Sequence, residues 1–120
     1  MANINISIAC GDYDRVRALK ERRVPVDGCE VTFIPMGPEE LFFRALRFAE
    51  FEVAELSFNS YMMLTSRGEC PYVAIPVFPS RMFRHSAIYI RTDRGISGPE
   101  DLKGRIVGVP EYQQTANVWM

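Results

Sequence analysis

Residues 3–10 read Asn-Ile-Asn-Ile-Ser-Ile-Ala-Cys, an alternation of polar and apolar side chains that predicts a β-strand with its isoleucines on one face. Gly11 breaks the strand. We expect a helix to follow, capped by Asp12 or Asp14 and running to about Arg23, because aspartate is a good N-cap and basic residues suit a helix C-terminus. A strand that leads directly into a helix is half of a βαβ unit, so this stretch favours an α/β fold.

The same alternation of strand and helix continues along the chain. A second strand is predicted at 29–36, and Gly37-Pro38-Glu39-Glu40 is a helix start, since proline and acidic residues favour the first turn. A third strand at 51–56 precedes a helix capped by Ser57 or Asn59. We therefore expect a mainly parallel sheet with strand order 2-1-3, helices on both faces and a crossover near residues 91–97. Further strands are predicted at 72–78, 86–91 and 105–109, with a capped turn at 98–104 and a helix from Gln113.

The composition excludes several classes of protein. Of 120 residues, 48% are hydrophobic and 24% are charged, and the net charge is -1. That balance gives no reason to expect nucleic acid or an anionic membrane as a partner. There is no export signal and no apolar run near the ~20 residues of a membrane helix, so a cytoplasmic location is expected. The three cysteines are too widely spaced for a zinc motif and are expected to be reduced, buried thiols.

Two sets of sequence blocks carry a resemblance to known proteins. The first is 96–109, Ile-Ser-Gly-Pro-Glu-Asp-Leu-Lys-Gly-Arg-Ile-Val-Gly-Val, which resembles the opening of the second lobe in type II solute-binding proteins. The second set comprises Cys-Gly-Asp-Tyr-Asp-Arg at 10–15, Phe-Glu-Val-Ala-Glu-Leu-Ser at 51–57, Pro-Val-Phe-Pro-Ser-Arg at 76–81, Phe-Arg-His-Ser at 83–86 and Val-Pro-Glu-Tyr at 109–112. Together these blocks are similar to the 4,5-dihydroxyphthalate decarboxylase family.

The resemblance implies a fold and an activity. The fold is α/β of the type II periplasmic-binding-protein-like class, with 1–92 as the N-terminal part of lobe 1 and 93–120 as the hinge and the start of an incomplete lobe 2. The activity is cofactor-independent removal of one carboxylate from a catechol dicarboxylate, giving protocatechuate and carbon dioxide. Because the chain ends within an apolar half-helix at 118–120, we expect it to be an N-terminal fragment that is inactive by itself.

Candidate site residues follow from the rule that open α/β sheets bind ligands at the carboxyl ends of their strands. Arg81 and Arg84 are candidates for a clamp on an aromatic diacid, because a guanidinium matches a carboxylate. The alternative for both arginines is a solvated surface position. Asp12 is a candidate for substrate binding but is expected rather as a helix cap. Ser57, Glu111 and Tyr112 are the remaining candidates for binding substrate.

Two residues are candidates for acid–base catalysis. His85, the single histidine, could give the proton that the ring carbon needs when carbon dioxide leaves. The alternative is a structural histidine at a strand end. Glu55 could take a phenolic proton, and its alternative is an ion pair with a neighbouring arginine. No histidine-based metal motif is present and no metal-binding residue is predicted, while a metal held by carboxylates alone stays an alternative.

Function remains open between two main classes at this point. The first is the decarboxylase, whose partner is a small aromatic carboxylate. The second is a non-catalytic solute-binding protein for a small organic anion, which would need donors but no acid–base pair. An inert remnant is a third possibility, and the sequence gives no indication of the oligomeric state.

Overall fold

Three parallel strands lie side by side in the computed structural model, in the order β2-β1-β3. Strand β1 spans Ile4–Cys10, β2 spans Cys29–Pro35 and β3 spans Val53–Ala54. The long pairing of β1 with β2 runs from Ile4 opposite Cys29 to Cys10 opposite Pro35, whereas β3 pairs with β1 through two residues. The predicted α/β class and the 2-1-3 order of the first three strands are confirmed.

The structure describes residues 3–83, 85 and 88–119, and these form two units. Residues up to Arg81 make up the first unit, which contains the sheet, and residues from Met82 onward make up the second. No helix in the described part of the chain is long and apolar enough to cross a membrane.

The helices of the first unit begin largely where the sequence predicts. Helix α1 spans Arg17–Lys20, α2 spans Pro38–Phe48 and α3 spans Phe58–Ser66. Gly37 and Ser57 are the N-caps of α2 and α3, and the Ser57 hydroxyl accepts a hydrogen bond from the Ser60 N–H. Both predicted helix starts are therefore confirmed.

The first helix differs from its prediction. A 3-10 turn at Asp14–Val16 precedes it, with Tyr13 as the N-cap of the turn and Val16 as the N-cap of α1, and neither residue makes a capping hydrogen bond through its side chain. The carboxylate of Asp12 instead lies 2.7 Å from Nζ of Lys20. The predicted cap by Asp12 or Asp14 is wrong, because Asp12 pairs with Lys20 and Asp14 lies inside the 3-10 turn. The helix also ends at Lys20, three residues before the predicted end near Arg23.

The core of the first unit is small and lies against α2. Ala9, Leu41, Ala45 and Phe51 are buried and packed together. Ala9 has no exposed surface and is the most deeply buried residue of β1, followed by its neighbour Cys10 at 5%, whereas Ile4 is 66% exposed. The close packing of α2 on the strand therefore relies on a small side chain and not on the row of isoleucines.

Three of the predicted strands do not form in the described residues. Residues 72–78 have no strand pairing, and proline at 71, 76 and 79 limits the donors that a strand could offer. Residues 88–91, the described part of the predicted strand 86–91, and residues 105–109 are likewise without strand pairing, and Ile106 is fully exposed. Residues 86 and 87 lie outside the described residues. An alternating sequence forms a strand only where a neighbouring strand is available to hydrogen-bond with it.

The second unit contains 3-10 turns at Thr92–Arg94 and Pro99–Leu102 and a short helix α4 at Thr115–Val118.

Candidate functional site

The carboxylate of Glu55 is the centre of a hydrogen-bonded cluster at the carboxyl ends of β1 and β3. Its Oε2 accepts from the N–H of Gly11 at 2.9 Å and from the thiol of Cys10 at 3.4 Å. Its Oε1 accepts from the hydroxyl of Tyr13 at 2.9 Å. Within the described residues Glu55 forms no ion pair with an arginine, and neutral donors from the segment after β1 surround its carboxylate.

Tyr13 lies in this cluster with its ring folded back over Gly11. A Cβ atom at position 11 would stand 2.6 Å from Cζ of Tyr13 and 2.8 Å from its hydroxyl oxygen, closer than atoms approach without displacement. The N–H of Tyr13 also donates to the carbonyl of Gly11 at 3.0 Å, which closes a tight turn. Glycine at position 11 therefore leaves the space that the Tyr13 ring occupies.

The segment Phe78–Arg81 lies next to the same cluster. The guanidinium of Arg15 donates to the carbonyl oxygen of Pro79 and stands 5.5 Å from the centre of the Tyr13 ring. The ring of Phe78 packs edge-on against Phe58, the first residue of α3, at 6.4 Å between centroids. The first unit thus brings three segments together: the segment after β1, the segment after β3, and the segment Phe78–Arg81.

Burial and the Glu55 charge affect the two acidic donors. Burial, followed by the Glu55 carboxylate, raises the pKa of the Cys10 thiol to about 12. Burial also raises the pKa of Tyr13, against the opposite effect of a hydrogen bond with Ser80, and Glu55 raises it further. Both groups remain protonated near neutral pH, as hydrogen-bond donors to a carboxylate must be.

The predicted site residues of the first unit lie on the three segments just described: Asp12 follows β1, Ser57 follows β3, and Arg81 ends the segment Phe78–Arg81. Ser57 is buried as the cap of α3, two residues beyond Glu55. Arg81 is exposed, and its Nε donates to the carbonyl of Phe78 at 3.2 Å. Asp12 faces Lys20, as described above. Tyr13 lies in the block at 10–15 but was not among the predicted site residues. The feature that could have indicated it is its position two residues after Gly11, at the end of the first strand.

The remaining predicted residues belong to the second unit. His85 is exposed, packs edge-on against Phe83 at 5.2 Å and lines an open apolar groove of about 520 Å³ with Ile88, Ile90 and Ile96. Glu111 and Tyr112 are both exposed, and the carboxylate of Glu111 accepts from the side chain of Gln114 at 3.1 Å. Arg84 lies outside the described residues. In the part of the chain that the structure describes, no group of three or more His, Cys, Asp or Glu side chains could hold a metal ion.

Two curated relatives match the chain along its whole length. Both are named 4,5-dihydroxyphthalate decarboxylase, one from Comamonas testosteroni and one from Pseudomonas putida, and each is 54% identical over 120 residues. The resemblance of the second set of sequence blocks to the 4,5-dihydroxyphthalate decarboxylase family is confirmed. The chain spans 36% of the length of the first relative and 46% of the second. No known family profile matches the chain.

Proposed function

We propose that the chain is the N-terminal part of a longer protein that decarboxylates 4,5-dihydroxyphthalate to protocatechuate and carbon dioxide. The observation that carries the proposal is identity at 54% of positions, over all 120 residues, with two relatives named for this reaction. We extend the proposal to the type II periplasmic-binding-protein-like fold, with residues 1–92 in lobe 1 and 93–120 as the start of lobe 2. A cytoplasmic location belongs to the same proposal.

The chemistry assigns a role to each of two residues. Glu55 takes the proton of the ring hydroxyl para to the departing carboxylate, so that electrons move toward the ring carbon that carries it. His85 gives a proton to that carbon. The carbon–carbon bond then breaks, carbon dioxide leaves, and the electron pair of the bond restores the aromatic ring as a phenolate, to which Glu55 returns its proton. The balance is one carboxylate exchanged for one proton, which needs no cofactor.

Binding of the diacid is assigned to arginine and to polar groups. A carboxylate beside a guanidinium forms a charge-assisted contact. Arg81 is exposed and directly follows Ser80, which hydrogen-bonds to Tyr13 of the Glu55 cluster. Ser57, Asp12, Arg84, Glu111 and Tyr112 are the further residues assigned to substrate binding.

The test uses the longer protein, purified and free of added metal or organic cofactor. Incubation with 4,5-dihydroxyphthalate, followed by detection of carbon dioxide and protocatechuate, is expected to show turnover. Phthalate, which lacks both hydroxyls, is the matched control and should bind without reacting, because no phenolic proton is available. Calorimetric binding of 4,5-dihydroxyphthalate without product would instead favour a solute-binding protein for a small organic anion.

A further inference from the structure

We propose that Tyr13 is a positioning residue, which holds the Glu55 carboxylate and the segment Phe78–Arg81 in one fixed arrangement. The inference rests on the proposed function, because Glu55 and Arg81 are the base and the clamp assigned above. Tyr13 itself is assigned no contact with substrate.

The first support is the way the chain makes room for the ring. The ring of Tyr13 fills the space where a side chain at position 11 would begin, with its Cε2 atom 2.7 Å from the site of that Cβ. The turn between Gly11 and Tyr13 brings the phenol back over the backbone. A tyrosine packed this closely has little freedom to change rotamer, so its hydroxyl is held in place before any ligand arrives.

The second support is that Tyr13 contacts two different segments. Its hydroxyl donates to Oε1 of Glu55, which follows β3. On the other side, Arg15 lies over the Tyr13 ring and donates to the carbonyl of Pro79, two residues before Arg81. A change in the position of the ring therefore affects both segments.

The third support concerns the orientation of the Glu55 carboxylate. Cys10 and Gly11 both donate to Oε2, so together they fix one oxygen. Tyr13 is the donor to Oε1. The plane of the carboxylate is set only when both oxygens are held, and a general base has to direct its lone pair at the proton it removes.

The experiment compares two ways of disturbing Tyr13 with a matched control. Tyr13→Phe keeps the ring and removes the hydroxyl, whereas Gly11→Ala keeps the phenol and displaces it. Tyr72→Phe is the control, because it also deletes a partly buried hydroxyl, one that donates to the carbonyl of Phe51 just before β3, at the opposite end of that strand.

The first readout is independent of activity and uses the 120-residue chain. Trypsin cleavage after Arg81 is followed by mass spectrometry, with cleavage after Arg105 in the second unit as internal reference. We expect Tyr13→Phe and Gly11→Ala to speed cleavage after Arg81 by about fivefold or more relative to Tyr72→Phe, because loss of a hydrogen bond raises the population of locally open states.

The second readout is kinetic and uses the longer protein. Tyr13→Phe is expected to lower kcat by about 10–100-fold, as for the loss of a hydrogen bond to a charged group. KM is expected to stay within about twofold, because the lost hydroxyl is assigned no contact with substrate. Gly11→Ala should act in the same direction, and Tyr72→Phe should keep kcat within about twofold.

The outcomes separate the two proposals. If the longer protein releases no carbon dioxide, the proposed function fails, and the rates of cleavage after Arg81 still decide whether Tyr13 holds the segment. Cleavage rates for Tyr13→Phe and Gly11→Ala equal to those of Tyr72→Phe would overturn the positioning role. In an active protein, a wild-type kcat in Tyr13→Phe, or a loss that shows in KM and not in kcat, would overturn it as well.

Discussion

Ser7 and Glu52 are joined by a double contact in which the serine donates both its N–H and its hydroxyl to the same carboxylate oxygen, Oε2. The distance from the nitrogen is 2.7 Å, and the N–H of Glu52 returns a hydrogen bond of 3.2 Å to the serine hydroxyl. Each of these residues directly precedes the short pairing of β1 with β3, which joins Ile8 to Val53 and Ala9 to Ala54. A two-residue strand contributes few backbone hydrogen bonds, so the side-chain contact adds to what holds β3 on the sheet.

The Ser7 contact makes stability depend on pH. The hydrogen bonds from Ser7 lower the pKa of Glu52, so its contribution is present above the ordinary glutamate pKa of about 4.3 and is lost as the pH falls through the lowered folded value. Glu52→Gln is therefore expected to unfold at lower urea concentration than wild type at pH 7, with a smaller difference at pH 3. Glu69→Gln, at an exposed position, is the control and should shift neither midpoint. Equal shifts for Glu52→Gln at both pH values would contradict the linkage.

The core predicts a large effect for one substitution in α2. Leu41 has no exposed surface and packs with Ala9, Ala45 and Phe51. Leu41→Ala should lower the free energy of unfolding by about 2–5 kcal/mol, through lost burial and the cavity left behind. Phe43→Ala on the same helix is the comparison, because Phe43 is 57% exposed, and it should cost less than about 1.5 kcal/mol. Chemical denaturation measures both, and equal losses would mean that the core lies elsewhere.

The cysteines should differ in reactivity. With a pKa of about 12, roughly one Cys10 thiol in ten thousand is ionised at pH 8, and the residue is buried. Iodoacetamide is expected to modify Cys29 and Cys70 first, as both are partly exposed. Mass spectrometry of the alkylated peptides measures the order of reaction.

Glu55→Gln offers a check on the cause of this low reactivity. Removing the charge should lower the pKa of Cys10 and speed its alkylation, because the carboxylate is one of the groups that raise it. Burial is the larger cause and remains, so Cys10 should still react last. Rapid alkylation of Cys10 in the native wild-type chain would show that the cluster opens readily.

The proposed clamp predicts an effect on binding. Arg81→Ala in the longer protein should weaken the affinity for 4,5-dihydroxyphthalate by about 10–100-fold, as expected when a charge-assisted contact worth ~1.5–3 kcal/mol is lost. Arg105→Ala, at an exposed position of the second unit, is the control and should leave the affinity within about twofold. Isothermal titration calorimetry measures both. An unchanged affinity in Arg81→Ala would contradict the clamp and would mean that Arg81 is a solvated surface arginine.

The proposed acid predicts an effect on turnover. His85→Ala should lower kcat by about 10²–10⁴-fold while KM changes little, since a general acid acts in the transition state. Steady-state kinetics beside binding calorimetry separates the two effects. An active enzyme in which His85→Ala keeps the wild-type kcat would remove the histidine from the mechanism.

Local patterns in the sequence predicted the order of the first three strands and the starts of α2 and α3, because periodicity and capping residues act over a few positions. They failed at residues 72–78, where pairing depends on a neighbour that the alternation cannot supply. They also failed at Asp12, where Lys20 competes as a partner eight residues away.

The candidate site was predictable in part for the same reason. Glu55 follows from its place at the end of a strand. Its donor Tyr13 lies 42 residues away, and that contact depends on how the strands pair. The space that Gly11 leaves for the Tyr13 ring could not be predicted from the sequence either, since a glycine after a strand is also common where the strand simply ends.

Glu52 and Glu55, which flank β3, each contact a residue at the same separation in sequence. Glu52 contacts Ser7 and Glu55 contacts Cys10, each 45 residues earlier, and the paired residues Ile8 and Val53 have the same separation. Length changes in evolution should therefore be unevenly distributed. An insertion in the turn at 24–28 would leave both glutamates opposite their partners. One extra residue between Val53 and Ala54 would shift Glu55 relative to Glu52, so that only one of the two could keep its partner.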